Sequence, residues 1–139
     1  RYFKGYPEVR KYLDQSILQA EQNGVSTTLW GRERVILGIN SENSKKKDAA
    51  ERIALNAPIQ GTAADIMKLA MIKVFQNLKA KVPSAKLLLQ VHDELLIEVE
   101  ENLASEVASL LQSDMEDVGT LAVPITVNVE TGKSWSAIH

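Results

Sequence analysis

Residues 87–100 read LLLQVHDELLIEVE, two apolar runs separated by the polar triplet His92, Asp93 and Glu94. Leu87 to Val91 and Leu95 to Val99 suit the interior of a sheet, and the triplet between them suits a hairpin tip. Two adjacent carboxylates therefore stand at the hinge of the most apolar hairpin in the chain. Burying an ionised carboxylate costs several kcal/mol unless something pairs with it. The feature calls for a partner for those acids, and a divalent cation is one candidate. Mg²⁺ prefers hard oxygen ligands and is often held by one or two carboxylates together with substrate phosphates. The competing reading is an ordinary acidic turn.

Other chemistries fit the triplet less well. A nucleophile triad needs His and Asp to converge through space, which neighbours in an extended chain do not do. Histidine-based metal sites need further ligands, and the one other histidine is His139. With no cysteine there is no disulfide framework and no thiolate metal site, which suits a reducing cytoplasm. Neither G-x-x-x-x-G-K nor G-x-G-x-x-G occurs.

At 139 residues the chain can make one domain with a real core, or part of a larger one. It begins at Arg1 rather than methionine, so the expectation is an excised piece or a processed product. No apolar run approaches ~18 residues, so no membrane span is expected, and the amino terminus has no signal-peptide pattern. The net charge of −2 hides an asymmetry. Residues 1–86 hold fifteen Lys and Arg against eight Asp and Glu, a balance of +7, whereas residues 87–139 hold one base against ten acids, a balance of −9. Such a split suits a polyanion-facing half beside an acidic half, or solvated helix faces that differ in sign.

Pro7 followed by Glu8 predicts a helix start, Val9, Leu13, Ile17 and Ala20 its apolar stripe, and Asn23-Gly24 its stop. VSTTLW and RVILGI flank GRE as a β-hairpin, and residues 40–46 form a polar loop. A short basic helix from Lys47 to Asn56 is expected to break or kink at Ala57, because Pro58 disfavours α geometry before it. Helical periodicity resumes from Gln60 to Ala80 through Ala63, Met67, Ala70, Val74 and Leu78, flanked by Ile66 and Met71. Strands at 86–91 and 95–100 follow, then a helix carrying Leu103, Val107, Leu110, Leu111 and Val118, then a last strand, PITVNVE. The expected class is α+β with an antiparallel sheet and packed helices.

Arg52, Asn56 and Gln60 recur every four residues. On a helical path they share one side, a guanidinium and two carboxamides suited to sugar edges, phosphates and minor-groove acceptors of a duplex. Equally, Asn56 could cap a helix before Pro58 and Gln60 could start the next.

Taken together, NAPIQGTAAD and LLLQVHDELLIEV resemble the polymerase domain of the bacterial DNA polymerase I family, the family A polymerases. TLWGRERV and VPITVNVETGKSW share the resemblance, which covers essentially the whole chain. It implies a palm, fingers and thumb architecture that copies a DNA template from deoxynucleoside triphosphates with two Mg²⁺. By that resemblance Asp93 is the metal-binding aspartate and Glu94 the neighbouring catalytic carboxylate. His92 matches a residue near the primer terminus, and Arg52, Asn56, Gln60 and Gln90 match residues on the primer–template DNA. Residues 1–50 match the end of the fingers with a connecting hairpin, and 51–139 the carboxy-terminal palm. A second metal-binding aspartate, in a DYSQIE-type motif, and the Lys- and Tyr-bearing helix that grips the triphosphate have no match here. The chain alone is therefore expected to be inactive and to self-associate through exposed sheet edges. Lys46 stands where many relatives carry arginine, which weakens any bidentate phosphate role there. The resemblance also implies a bacterial, cytoplasmic, nucleoid-associated protein. The alternative is a non-catalytic nucleic-acid-binding module on a palm scaffold. A carboxylate-metal nuclease would need further clustered acids, and Asp114, Glu116 and Asp117 are expected on an outer helix.

Overall fold

Pro7 opens helix α1 (Pro7–Asn23), where its missing N–H costs nothing. Gly24 closes it at φ +72°, donating its N–H to the Ala20 carbonyl at 2.8 Å. Strands β1 (Val25–Thr27) and β2 (Glu33–Val35) pair antiparallel, Ser26 opposite Arg34, in a hairpin shorter than its apolar flanks suggest. Helix α2 runs from Ser44 to Lys81. A second ribbon pairs β3 (Lys86–Val91) with β4 (Glu94–Glu98). A 3₁₀ turn (Glu101–Leu103) leads into α3 (Ala104–Glu116), and another covers Trp135–Ala137. The structure, a computed structural model, describes residues 5–119 and 121–138; His139 lies outside them. The class is α+β, as expected, with two small antiparallel ribbons. Among the described residues no helix is long and apolar enough to cross a membrane.

Two compact units divide the chain, Arg1–Asp65 and Ile66–His139. In the first, Ala20, Ile36, Ile39, Ala50, Ala54 and Ala57 form the core. Alanines at 50, 54 and 57 keep one face of α2 flat enough for close approach. Lys47 reaches back to Glu21 at 2.8 Å. The hydrogen bond and charge of that carboxylate raise the Lys47 ammonium above its ordinary value. One of the three lysines in the basic run is thereby partnered by an acid, while Lys45 and Lys46 remain exposed.

The second unit's core gathers Met67, Ala70, Val74, Leu78, Val82, Val107, Met115 and Val118, with Leu95 and Ile97 of the ribbon and Val99 just beyond it packed against it. The stripe of residues 67–78 is as the periodicity predicts, except that Ala63 is exposed. Asn77 donates to both carboxylate oxygens of the buried Asp114, at 2.8 and 2.9 Å.

Three expectations are corrected. First, α2 is one helix where two were expected. Asn43 starts it, its Oδ1 accepting the Lys46 N–H at 3.3 Å, and Pro58 lies inside it. Proline cannot donate to the carbonyl four residues back, Ala54, but the buried Ser26 hydroxyl does so at 3.4 Å. Second, the apolar ribbon is not a sheet interior. Leu88 and Leu89 are 49% and 39% exposed, because a two-stranded ribbon covers only the face it turns to the core. Third, residues 124–130 form no strand. The Val127 N–H goes to the Glu116 carboxylate at 3.0 Å, a side-chain partner in place of a strand ladder.

Candidate functional site

The β3–β4 register ends at Val91 opposite Glu94, leaving His92 and Asp93 as the turn. A two-residue hairpin needs φ > 0 at its first central position to match the strands' twist, and His92 supplies it at φ +52°. It is the one non-glycine residue with positive φ among the described residues. His tolerates this region better than branched residues do. Gln90 ties the tip down from within, its Nε2 donating to the His92 carbonyl at 2.8 Å. Lower down, the register steps from Leu87 opposite Ile97 to Leu89 opposite Leu96, so Leu88 is a bulge. Bulges sharpen local twist and re-aim the strand beyond them.

Asp93 and Glu94 are both exposed at the tip. Both line one cavity of about 360 Å³, whose wall also includes Leu111, Met115, Asn128 and Glu130. Strict strand alternation would send neighbours to opposite faces, and the turn geometry brings them together. Among the described residues no three His, Asp or Glu side chains converge as a metal-holding cluster. One or two carboxylates open to solvent do fit the way Mg²⁺ is held together with substrate phosphates.

Because α2 is continuous, Arg52, Asn56 and Gln60 occupy successive turns of one helix, all three exposed. A four-residue step turns a helix by ~40° beyond a full circle, so they form a slowly winding row. Asn56 is an interior residue and Gln60 starts nothing, which removes the capping account of both. The Arg52 Nε donates to the Asp48 carbonyl at 3.3 Å.

Behind this row lies an arrangement that the periodicity did not reveal. The Arg32 guanidinium meets Asp65 at 2.7 Å through Nε and the Gly61 carbonyl at 3.0 Å through a terminal nitrogen. The Leu29 N–H donates to Thr62 Oγ1 at 3.0 Å. A Cβ on Gly61 would stand 2.6 Å from Thr28 Cγ2, a distance that real contacts do not reach. The one sequence signal for this was a glycine in the middle of a helical pattern, where it costs ~1 kcal/mol relative to alanine and so needs a packing reason.

The model of DNA polymerase family A matches residues 1–137. The chain belongs to DNA polymerase family A. Among curated family members, DNA polymerase I of Borreliella burgdorferi is 48% identical over 138 residues, 99% of this chain and 15% of the relative. The thermostable DNA polymerase I of Thermus thermophilus is 44% identical over 135 residues, 97% of this chain and 16% of the relative. The chain thus spans about a sixth of the length of these family A relatives. Among solved structures, the POL domain of Pol1 from M. smegmatis, in complex with DNA primer-template and dNTP, superposes with a TM-score of 0.93 at 45% identity. That match covers 99% of this chain and 24% of the other.

Proposed function

We propose that these residues are part of a DNA-directed DNA polymerase that extends a primer on a DNA template by adding deoxynucleotides. The observation that carries the reading is the pair Asp93–Glu94 at a hairpin tip in a family A chain, both lining one cavity. The M. smegmatis relative, described with primer-template and dNTP, supports the same partners here.

In this reading Asp93 is the residue that would hold Mg²⁺, and Glu94 beside it supports the site. Bound Mg²⁺ would supply charge neutralisation at the phosphates and activation of the primer hydroxyl. The chain's own work is positioning. The Gln90-braced turn fixes where the carboxylates stand, and His92 faces the primer end. Arg52, Asn56 and Gln60 touch the duplex on the minor-groove side, where acceptors vary little between correct pairs and shape can be tested. We assign residues 1–50 to the end of the fingers and 51–139 to the palm, in a bacterial cytoplasmic enzyme.

Asp93 and Glu94 come from one hairpin tip, and a two-metal displacement needs ions ~3.5–4 Å apart clamping attacking and leaving oxygens. The 139 residues alone are accordingly inactive, and the exposed edges of their ribbons favour self-association.

The test is Asp93→Asn in the full-length protein carrying this chain. Single-turnover incorporation should be abolished while primer–template affinity, read by titration on the same preparation, stays largely intact. Near-normal incorporation would remove Asp93 from the mechanism. Loss of DNA binding in parallel would instead favour a binding module without catalysis.

A further inference from the structure

The β1–β2 hairpin touches α2 through polar groups at three successive levels. Ser26 serves the Ala54 carbonyl, Arg32 serves the Gly61 carbonyl and the Asp65 carboxylate, and Thr62 Oγ1 receives the Leu29 N–H. These levels bracket Asn56 and Gln60, and Arg52 lies half a turn before the first. The bonds are not interchangeable with packing. Asp65 is largely buried, its side chain 11% exposed, whereas the Arg32 side chain is 49% exposed and bridges from the hairpin to it. A guanidinium fork that bonds a carboxylate and a backbone carbonyl at once fixes direction as well as distance. Pro58, meanwhile, weakens this helix locally, because one rung of its own hydrogen-bond ladder is missing. The hairpin spans that weakness from both sides.

We infer that the β1–β2 hairpin is a clamp that sets the direction of the Arg52–Asn56–Gln60 row, with Arg32 and Asp65 as its positioning residues. The inference rests on the duplex-contact reading of that row. A helix free to bend at Pro58 would swing Gln60 relative to Arg52, and ~1 Å of misplacement can cost on the order of 10²-fold in rate. The clamp fixes the two ends of the row relative to one another, so that a duplex meets all three side chains together. Gly61 completes the design, since only a residue without Cβ lets Thr28 come so close.

The experiment uses the full-length protein with Arg32→Ala, Arg32→Lys, Asp65→Asn, Gln60→Ala and the Arg32→Ala/Gln60→Ala double variant. Amide hydrogen exchange is read across residues 59–65, and matched-primer extension is read at saturating nucleotide. Arg32→Ala should speed exchange at least 10-fold in that stretch with little change elsewhere. It should slow extension by about the same factor as Gln60→Ala, on the order of 10- to 10²-fold. Arg32→Lys, which keeps the charge and loses the fork, should fall between Arg32→Ala and wild type. The double variant should be scarcely slower than either single one, because the two residues act through one placement. Unchanged exchange at 59–65 in both Arg32 variants would overturn the clamp, as would multiplicative losses in the double variant. If Arg32→Ala does not fold, Arg32→Lys and Asp65→Asn carry the same readouts. Normal extension by Gln60→Ala would instead overturn the duplex reading, and the exchange data would then judge the clamp alone.

Discussion

The Ser26 hydroxyl donates to the Ala54 carbonyl, the one acceptor in α2 that Pro58 deprives of its usual N–H. Both Ser26 and Ala54 are buried, so water does not replace either partner. Ser26→Ala should therefore destabilise by about 1–3 kcal/mol, the cost of leaving a buried polar group unsatisfied. Pro58→Ala restores the N–H and should abolish most of that loss in the double variant. Thermal unfolding of the four combinations gives the coupling. Equal costs of Ser26→Ala with and without Pro58 would show that the hydroxyl does not serve the proline gap.

Gly61→Ala sets two effects of opposite sign against each other. Alanine gains ~1 kcal/mol of helix propensity over glycine. The new Cβ meets Thr28 Cγ2 at 2.6 Å, and overpacking of this kind costs typically about 1–3 kcal/mol. Net destabilisation is expected. Adding Thr28→Ser removes the colliding methyl and should turn the change favourable. A lone Gly61→Ala that stabilises the protein would mean that the hairpin moves aside at little cost.

How much of this was legible in the sequence depended on whether the deciding partner was near in the chain. Pro7, Gly24 and the stripe from Met67 to Leu78 act locally, so spacing was enough to find them. A break or kink at Ala57 was expected because Pro58 disfavours α geometry before it, yet the helix continues, and the donor that replaces the missing N–H stands on Ser26, far away in sequence. Asp93 and Glu94 were placed at a hairpin tip by pattern alone, and the ribbon bears this out. The exposure of Leu88 and Leu89 was not legible, because an apolar strand does not reveal how many neighbours cover it. The segment at 124–130 has the alternation of a strand, but strand status needs a paired edge, and here Glu116 takes the Val127 N–H. Arg32 and Asp65 gave no periodic signal, since their meeting joins a turn to a helix.

His92 offers a way to separate turn geometry from side-chain chemistry. Its φ of +52° carries a cost of roughly 1–2 kcal/mol for an L-residue, which glycine does not incur. His92→Gly should leave stability within about 1 kcal/mol of wild type, because glycine's extra unfolded-state entropy offsets the relief. His92→Val should lose more, since a branched side chain is poorly tolerated at positive φ. Slower primer extension by the stable glycine variant then belongs to the imidazole itself. A glycine variant with full extension would remove His92 from the primer end.

The Lys73–Asp117 pair predicts a pH dependence with a definite sign. The Lys73 ammonium donates to the Asp117 carboxylate and, at 2.9 Å, to its backbone carbonyl. That hydrogen bond, then the charge, holds the Asp117 carboxyl below its ordinary 3.8. A carboxyl whose folded value is lowered stabilises the fold fully above its unfolded value, and the contribution disappears as pH falls through the folded value. Asp117→Asn should therefore lower the unfolding temperature at pH 7, and the gap from wild type should narrow steadily as pH drops below 4. The Asp117 side chain is 81% exposed, so salt should narrow the gap as well. Unfolding temperatures of both proteins, measured from pH 7 to pH 2 at low and high salt, decide the matter. A gap that stays constant with pH would mean that the carboxylate's charge contributes nothing there.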